Sequence, residues 1–257
     1  MSRWITNELC ELNEKNMNLL LDFKIPGIIV RNFIEPETCQ IVAERLEASY
    51  GHMEGVPVNQ QVMCHNRYSH MKKSIYFFKK NKAEKELQSI YKDLKLNPVQ
   101  MVIDTLKEGT NRSVGIYEEE GFGEYFAGAF RSFKGHGKLH VDHAPSHIQQ
   151  DWIVTKLLRQ LSWNIYYTNY KDDGGELIIY DTIHTKENDK LKIEDDYYFP
   201  YEVLESDIHC KVKPGNGDLI IFNTQNFHEI MGHSNGCRIS QTSFMGLNED
   251  GTLKLWS

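Results

Sequence analysis

Apolar residues fall at two spacings along this chain. Up to about residue 107 they recur every three or four positions, the period of a helix with one buried face. From about residue 124 they come in short runs, alternating or continuous, as strands require. The first half predicts a short strand over 25–30, then a helix over 36–50 opened by Pro36. Cys39, Val42, Leu46 and Tyr50 form its stripe. A second helix is predicted over 83–96 with Leu87, Ile90 and Leu94 inward. Asn97 and Pro98 interrupt it before helix resumes over 99–107. Residues 52–73 are polar and irregular, a loop expected to reach toward any site.

The second half predicts a strand over 124–134, a short helix over 151–161, and strands over 161–169 and 176–181 joined by a Gly174-Gly175 turn. Pro214, Gly215 and Gly217 then form a tight turn that feeds a buried strand ending at Phe222. Over 236–244 the pattern alternates, so Arg238, Ser240 and Thr242 are predicted on one face. Residues 184–206 are acidic and aromatic and read as an insertion between core strands, placed to serve as a lid. Strand-rich sequence with returning turns predicts an α+β chain: a double-stranded β-helix of jelly-roll or cupin type with supporting N-terminal helices. No repeat or low-complexity linker divides it. A single domain over 1–257 is expected, with 1–120 mainly helical support and 121–257 the β-helix core.

Composition narrows the function classes. At 257 residues and 40% apolar content the chain can bury a sizeable core. A net charge of −7 and no basic run disfavour nucleic-acid binding. No stretch approaches the roughly 20 apolar residues that span a bilayer. The five cysteines are odd in number and scattered, which predicts reduced thiols in a cytoplasmic setting. The sequence assigns no oligomeric state.

Within this frame one constellation carries chemistry. His140 and Asp142 stand two apart, the spacing that turns both to one face of a strand. His228 follows 86 residues after the Asp, and Arg238 ten further on. Two imidazoles and a carboxylate occupy one face of an octahedral metal and leave the other open, the arrangement that suits non-haem Fe(II). His-x-Asp alone is a weak signal, and a surface His beside a turn Asp is the competing reading. For the second imidazole, His233 is the rival, but His228 directly follows the buried strand. An Arg in an otherwise apolar and hydroxylic strand predicts a buried, paired guanidinium.

The segments from about residue 122 to 256 resemble the Fe(II)/2-oxoglutarate-dependent oxygenases of the prolyl-hydroxylase-like branch. The resemblance rests on His140-x-Asp142, the block from Ile165 to Asn169 with its Gly174-Gly175-Glu176-Leu177, the Pro214-Gly-x-Gly-Asp218 block leading to His228, and Arg238-x-Ser240. More weakly, the ending resembles a bacterial group acting on free amino acids, which includes lysine hydroxylases and radical halogenases. The resemblance implies Fe(II) held by His140, Asp142 and His228, with 2-oxoglutarate and O₂ as co-substrates. It implies that Arg238 grips the far carboxylate of 2-oxoglutarate, with Tyr167 and Ser240 or Thr242 as further donors. Tyr166 is expected on the other face, and an ordinary core aromatic is the competing reading of Tyr167. In the radical halogenases a small residue stands where the carboxylate ligand would be. Asp142 therefore implies C–H hydroxylation here.

For the substrate, an amino acid needs a carboxylate acceptor for its ammonium and a cation for its carboxylate. The candidates are Glu124, His136 and Arg67, with Arg131 and His143 nearby and Trp256 as a pocket wall. A solvated or structural role competes for each. The acidic run at 118–120 with Glu124 favours a basic substrate such as L-lysine. A peptidyl side-chain hydroxylase and a catalytically silent β-helix binding domain are the alternatives; the intact ligand set counts against the second.

Overall fold

The computed structural model describes residues 2–50, 72–133, 135–148, 150–168, 174–194, 196–232 and 238–257. Strand β1 (Cys10–Glu11) precedes helix α1 (Glu14–Leu21), which the sequence reading had not separated. Asn13 caps α1 by accepting from the Asn16 N–H. Strand β2 (Gly27–Val30) and helix α2 (Pro36–Tyr50) fall where the pattern predicts. Helix α3 (Lys73–Ile90) starts ten residues earlier than expected and stops before Leu94. The Asn97-Pro98 break becomes the start of α4 (Pro98–Thr110), where Asn97 caps and Pro98 takes a first-turn position that has no N–H to satisfy.

Strands β3 (Val114–Ile116), β4 (Glu118–Glu119), β5 (Gly123–Glu124), β6 (Ala129–Phe133) and β7 (Gly137–His140) follow, then the short helix α5 (Ala144–His147). The helix expected over 151–161 is only a 3₁₀ turn at Ile153–Thr155, because strand β8 (Arg159–Thr168) already begins at Arg159. Strands β9 (Leu177–Ile183), β10 (His209–Val212), β11 (Leu219–Asn223), β12 (Asn226–Ile230), β13 (Arg238–Leu247) and β14 (Leu253–Trp256) complete the order.

The strands form a major sheet, β1-β2-β11-β8-β13-β14-β3, in which β6 also pairs with β13, and a minor sheet, β10-β9-β12-β7. The two sheets are the two walls of a double-stranded β-helix. β1, β2 and β3 belong to the major sheet, so the segment before residue 120 supplies sheet edges as well as helical support. Alternation decides which residues pack where. Trp163, Ile165, Tyr167, Leu219, Ile221, Ile239 and Met245 turn outward beneath Val42 and Leu46 of α2 and Val102 and Leu106 of α4. Their neighbours Tyr166, Ile220 and Phe222 turn inward against Leu177, Ile179 and Cys210 of the minor sheet. On the far side of the minor sheet, Leu139, Ile178, Tyr180 and Phe227 are covered by Phe199 and Val203 of the 184–206 insertion.

The Pro-Gly turn has a specific job. Gly217 has φ +86° and lies so close to the Ile34 carbonyl that a Cβ would stand 2.0 Å from its oxygen. The Asp218 carboxylate accepts from the Gly215 N–H at 2.8 Å and from Arg31 at 2.6 Å. The turn is thereby locked, and β11 is aimed so that β12 brings His228 beside His140.

Candidate metal centre and co-substrate wall

His140 and His228 face each other across the β7–β12 pair. Their ring centroids are 4.2 Å apart. Each Nδ1 lies against the carbonyl two residues earlier on its own strand, at 2.7 Å from Lys138 O and 2.9 Å from Asn226 O. A carbonyl only accepts, so both rings donate through Nδ1 and present a bare Nε2. Asp142 Oδ2 lies 3.7 Å from each of those Nε2 atoms. Burial, then the neighbouring His228, pulls His140 down to about 4, so the imidazole is neutral and ligand-competent near pH 7. His140, Asp142 and His228 are thus a group able to hold one metal ion. Donors bound to one ion at about 2.1 Å stand no more than about 4.2 Å apart, and the 3.7 Å separations meet that limit. Two imidazoles and one carboxylate on one side of an ion suit Fe(II).

Asp142 is positioned differently from the sequence expectation. β7 ends at His140, so the strand pleat does not hold the Asp. Thr224, in the β11–β12 turn, does so: Asp142 N–H donates to the Thr224 carbonyl at 3.0 Å, and Thr224 Oγ1 donates to the Asp142 carbonyl at 2.7 Å. Phe222 packs its ring 4.9 Å from His228, and Tyr197 of the insertion sits edge-on 5.5 Å from His140.

Arg238 is buried at 3% exposure. Its guanidinium sits 5.3 Å above the Tyr166 ring. Burial lowers its proton affinity, and Tyr166 partly restores it. Ser240 pairs with Tyr166 on one side and Arg131 on the other, placing these side chains on one inner face. Arg131 is likewise lowered by burial and raised by the Asp142 charge, so it lies within electrostatic reach of the metal group.

Tyr167 is on the wrong side for the role the sequence suggested. Its hydroxyl bonds Tyr91 at 2.9 Å and Gln241 at 3.1 Å, deep in the core beneath the helices. Tyr166 takes the inner face. Its hydroxyl makes no hydrogen bond among the described residues. Alternation along β8 carries through both tyrosines: Tyr167 follows Trp163 and Ile165 outward, and the bulge between Ile239 and Ser240 changes only the pairing with β13. The substrate candidates also move. His136 bonds Glu229 at 2.9 Å, together with Tyr180 and Tyr201, on the covered far side of the minor sheet. Glu124 is exposed on the small β4–β5 ribbon. Glu119, from the acidic run, is committed to Lys73 at 2.5 Å, the Ile153 N–H at 3.1 Å and the Tyr125 hydroxyl. Trp256 is fully buried against Tyr117 and Phe244, in a cluster that also holds Ala144. Arg67 and the rival His233 lie outside the described residues. The structure also brings together a second group that the sequence reading missed: His147, His184 and Asp189. Its one sequence signal is the four-residue step from His143 to His147.

A double-stranded β-helix with this donor set at its core defines an Fe(II)/2-oxoglutarate-dependent oxygenase, an enzyme that works with Fe(II), 2-oxoglutarate and O₂. The chain belongs to the family described as carrier-protein-independent halogenase WelO5, whose sequence model matches residues 3–257. Leucinostatins biosynthesis cluster protein S of Purpureocillium lilacinum is 28% identical over 134 residues. That match covers 51% of this chain and 54% of the fungal protein, so it spans about half of that relative's length. A novel N-substituted L-amino acid dioxygenase from Burkholderia ambifaria, in complex with alpha-KG, has a similar structure at TM-score 0.64 and 16% identity. It covers 95% of this chain and 91% of its own. Another crystal structure with the same protein description gives TM-score 0.61 and 15% identity over the same shares. These two show the fold. Among the described residues, no helix is long and apolar enough to cross a membrane.

Proposed function

We propose that this chain hydroxylates a C–H bond of a small amino acid, free or N-substituted, with His140, Asp142 and His228 as the iron ligands. The observation that carries this reading is the Asp142 carboxylate, 3.7 Å from both Nε2 atoms. With iron bound it would occupy the place a halide would need, and its charge is suited to a divalent cation. Bound iron, with 2-oxoglutarate and O₂, supplies the oxidising power for C–H cleavage and leaves succinate and CO₂.

The chain's own residues do the rest. Lys138 and Asn226 carbonyls fix the two imidazole tautomers. Arg238 is assigned the far carboxylate of 2-oxoglutarate, with Tyr166 and Ser240 as hydroxyl donors on the same face. Arg131, on that face and electrostatically coupled to Asp142, is the cation assigned to the substrate carboxylate. Phe222 and Tyr197 exclude water around the imidazoles. The amino-acid class draws on the Burkholderia ambifaria protein as well as on these two inner cations. A basic side chain such as lysine loses its basis, because Glu119 is already paired and Glu124 points into solvent. The free thiols of Cys10, Cys39 and Cys210 support a cytoplasmic site of action.

A second reading, halogenation, is favoured by the family's description. One experiment separates the two. Purified protein is supplied with Fe(II), 2-oxoglutarate, O₂, chloride and a panel of free and N-substituted amino acids including L-lysine. Succinate and product masses are recorded. A product 16 Da heavier, by one oxygen, is expected. Chlorinated product from the unaltered chain would overturn the hydroxylase reading, and no substrate-coupled succinate from any amino acid would overturn the substrate class.

A further inference from the structure

We propose that His147, His184 and Asp189 form a second metal site, for Zn(II) or a similar divalent first-row ion, beside the iron group. His147 closes α5, which starts directly after His143. His184 follows β9, and Asp189 stands in the 3₁₀ turn at Asn188–Leu191. Their donor atoms lie within 4.8 Å of one another. His184 Nε2 is 3.0 Å and His147 Nε2 is 3.9 Å from the same oxygen, Asp189 Oδ1. The two rings meet edge to face at 5.4 Å.

A plain hydrogen-bonded pair accounts for His184 and Asp189. It does not account for His147, whose Nε2 is buried with no hydrogen-bond partner among the described residues while it faces that carboxylate. Buried polar atoms are normally satisfied, and an exception calls for a missing partner. A cation between the three donors is such a partner, and two imidazoles with a carboxylate are a standard Zn(II) set. The His143 ring, 6.3 Å from that of His184, brings a fourth donor close by. Burial drives His147 down to about 4, so its nitrogen carries a lone pair near neutral pH.

The backbone around the group is already fixed. The His184 N–H donates to the Gln225 carbonyl at 2.8 Å. Asn188 accepts from the Thr185 N–H at 2.7 Å and donates to the Ile183 carbonyl at 3.2 Å. Ala144 N–H donates to Gln160 at 2.7 Å, anchoring α5. Lys192 opposes positive charge at His147, while Asp189 and Asp142 favour it. An ion here would tie α5, and so the segment leaving Asp142, to the base of the 184–206 insertion.

The test is Zn(II) titration of metal-stripped protein in a His228→Ala background, where the iron group is broken. Circular dichroism checks that each variant is folded. Stoichiometric tight uptake and an upward shift of the melting midpoint with Zn(II) are expected. Adding His147→Gln or Asp189→Asn should abolish both; Asp189→Asn keeps the shape and a hydrogen-bonding oxygen. The proposal is overturned if His228→Ala takes up no Zn(II) tightly, or if neither added substitution weakens uptake. Should His228→Ala fail to fold, the same measurement on the unaltered chain applies: His147→Gln must lower its metal content, and unchanged content overturns the site. Failure of the iron assignment shows separately, as undiminished Fe(II) binding in His228→Ala.

Discussion

Exchanging Tyr166 or Tyr167 for Phe tests which face of β8 meets the co-substrate, because each change removes one oxygen atom and little else. The Tyr167 hydroxyl bonds Tyr91 and Gln241 in the core, and Tyr91 keeps its own 2.7 Å bond to Gln241 when Tyr167 is gone. The loss is thus a share of one buried network, about 1–2 kcal/mol. For a chain of this size that is a fall of roughly 2–8 °C in melting midpoint, with the 2-oxoglutarate requirement unchanged. The Tyr166 hydroxyl has no such network, and its ring lies under the Arg238 guanidinium. If it donates to the co-substrate carboxylate, Tyr166→Phe loses a hydrogen bond to a charged group, about 1.5–3 kcal/mol. That corresponds to a rise of roughly 10- to 100-fold in the 2-oxoglutarate concentration needed, with stability nearly unchanged. Thermal melts and succinate formation against 2-oxoglutarate concentration read both quantities for each variant. The reverse pattern, with Tyr167→Phe raising the requirement and Tyr166→Phe leaving it alone, would refute the assignment of faces.

Three further outcomes are expected. Asp142→Gly should lose most hydroxylation and, with chloride or azide in excess, yield a trace of halogenated or azidated product by mass spectrometry; full retention of hydroxylation would remove Asp142 from the ligand set. In metal-free protein, His140 and His147 sit near pH 4 when folded against about 6.5 when unfolded, so the unfolded chain binds more protons between those values. Stability should therefore fall as pH drops through that window, by about 2 kcal/mol per histidine at pH 5, and denaturant midpoints at pH 7 and 5 that coincide would contradict it. Lys73→Met strands the buried Glu119 carboxylate with only Tyr125 and the Ile153 N–H; since Lys73 is partly solvated the cost should be about 2–3 kcal/mol, recovered in part by adding Glu119→Leu, as read by urea denaturation.

Much of the frame was legible because period and turn chemistry are local. Pro36 and Asn97-Pro98 marked helix starts through the missing N–H of proline, and Pro214 to Asp218 marked the turn before β11. His140, Asp142, His228 and Arg238 drew notice only together with the blocks around them, since His-x-Asp alone is a weak signal and their neighbours are partly polar. What escaped was set by register and by partners distant in sequence. Trp163, Ile165 and Tyr167 share one face of β8, and only the packing of α2 and α4 against it tells that face from the inner one taken by Tyr166. Glu119 looked like a free acidic wall until α3 brought Lys73 to it. His136 looked like a neighbour of the first ligand, but Glu229, the residue after His228, draws it to the opposite side of the sheet. Thr224 gave no signal, since its contribution is two bonds to the backbone of a residue 82 positions away.

That Thr224 clamp bears on how such a site changes over evolutionary time. Both of its bonds go to the main chain of Asp142, and neither uses an atom of the carboxylate. The position can therefore exchange its side chain while the chain path, and the two imidazoles mounted on β7 and β12, stay where they are. With Asp142 in its proposed role, the choice of side chain at that corner of the site is uncoupled from the folding of the loop that presents it. A lineage could cross between oxygen transfer and halide transfer by one codon change without passing through an unfolded intermediate. The barrier to the crossing would lie in the surroundings that hold the incoming anion and aim the substrate, which must be acquired afterwards.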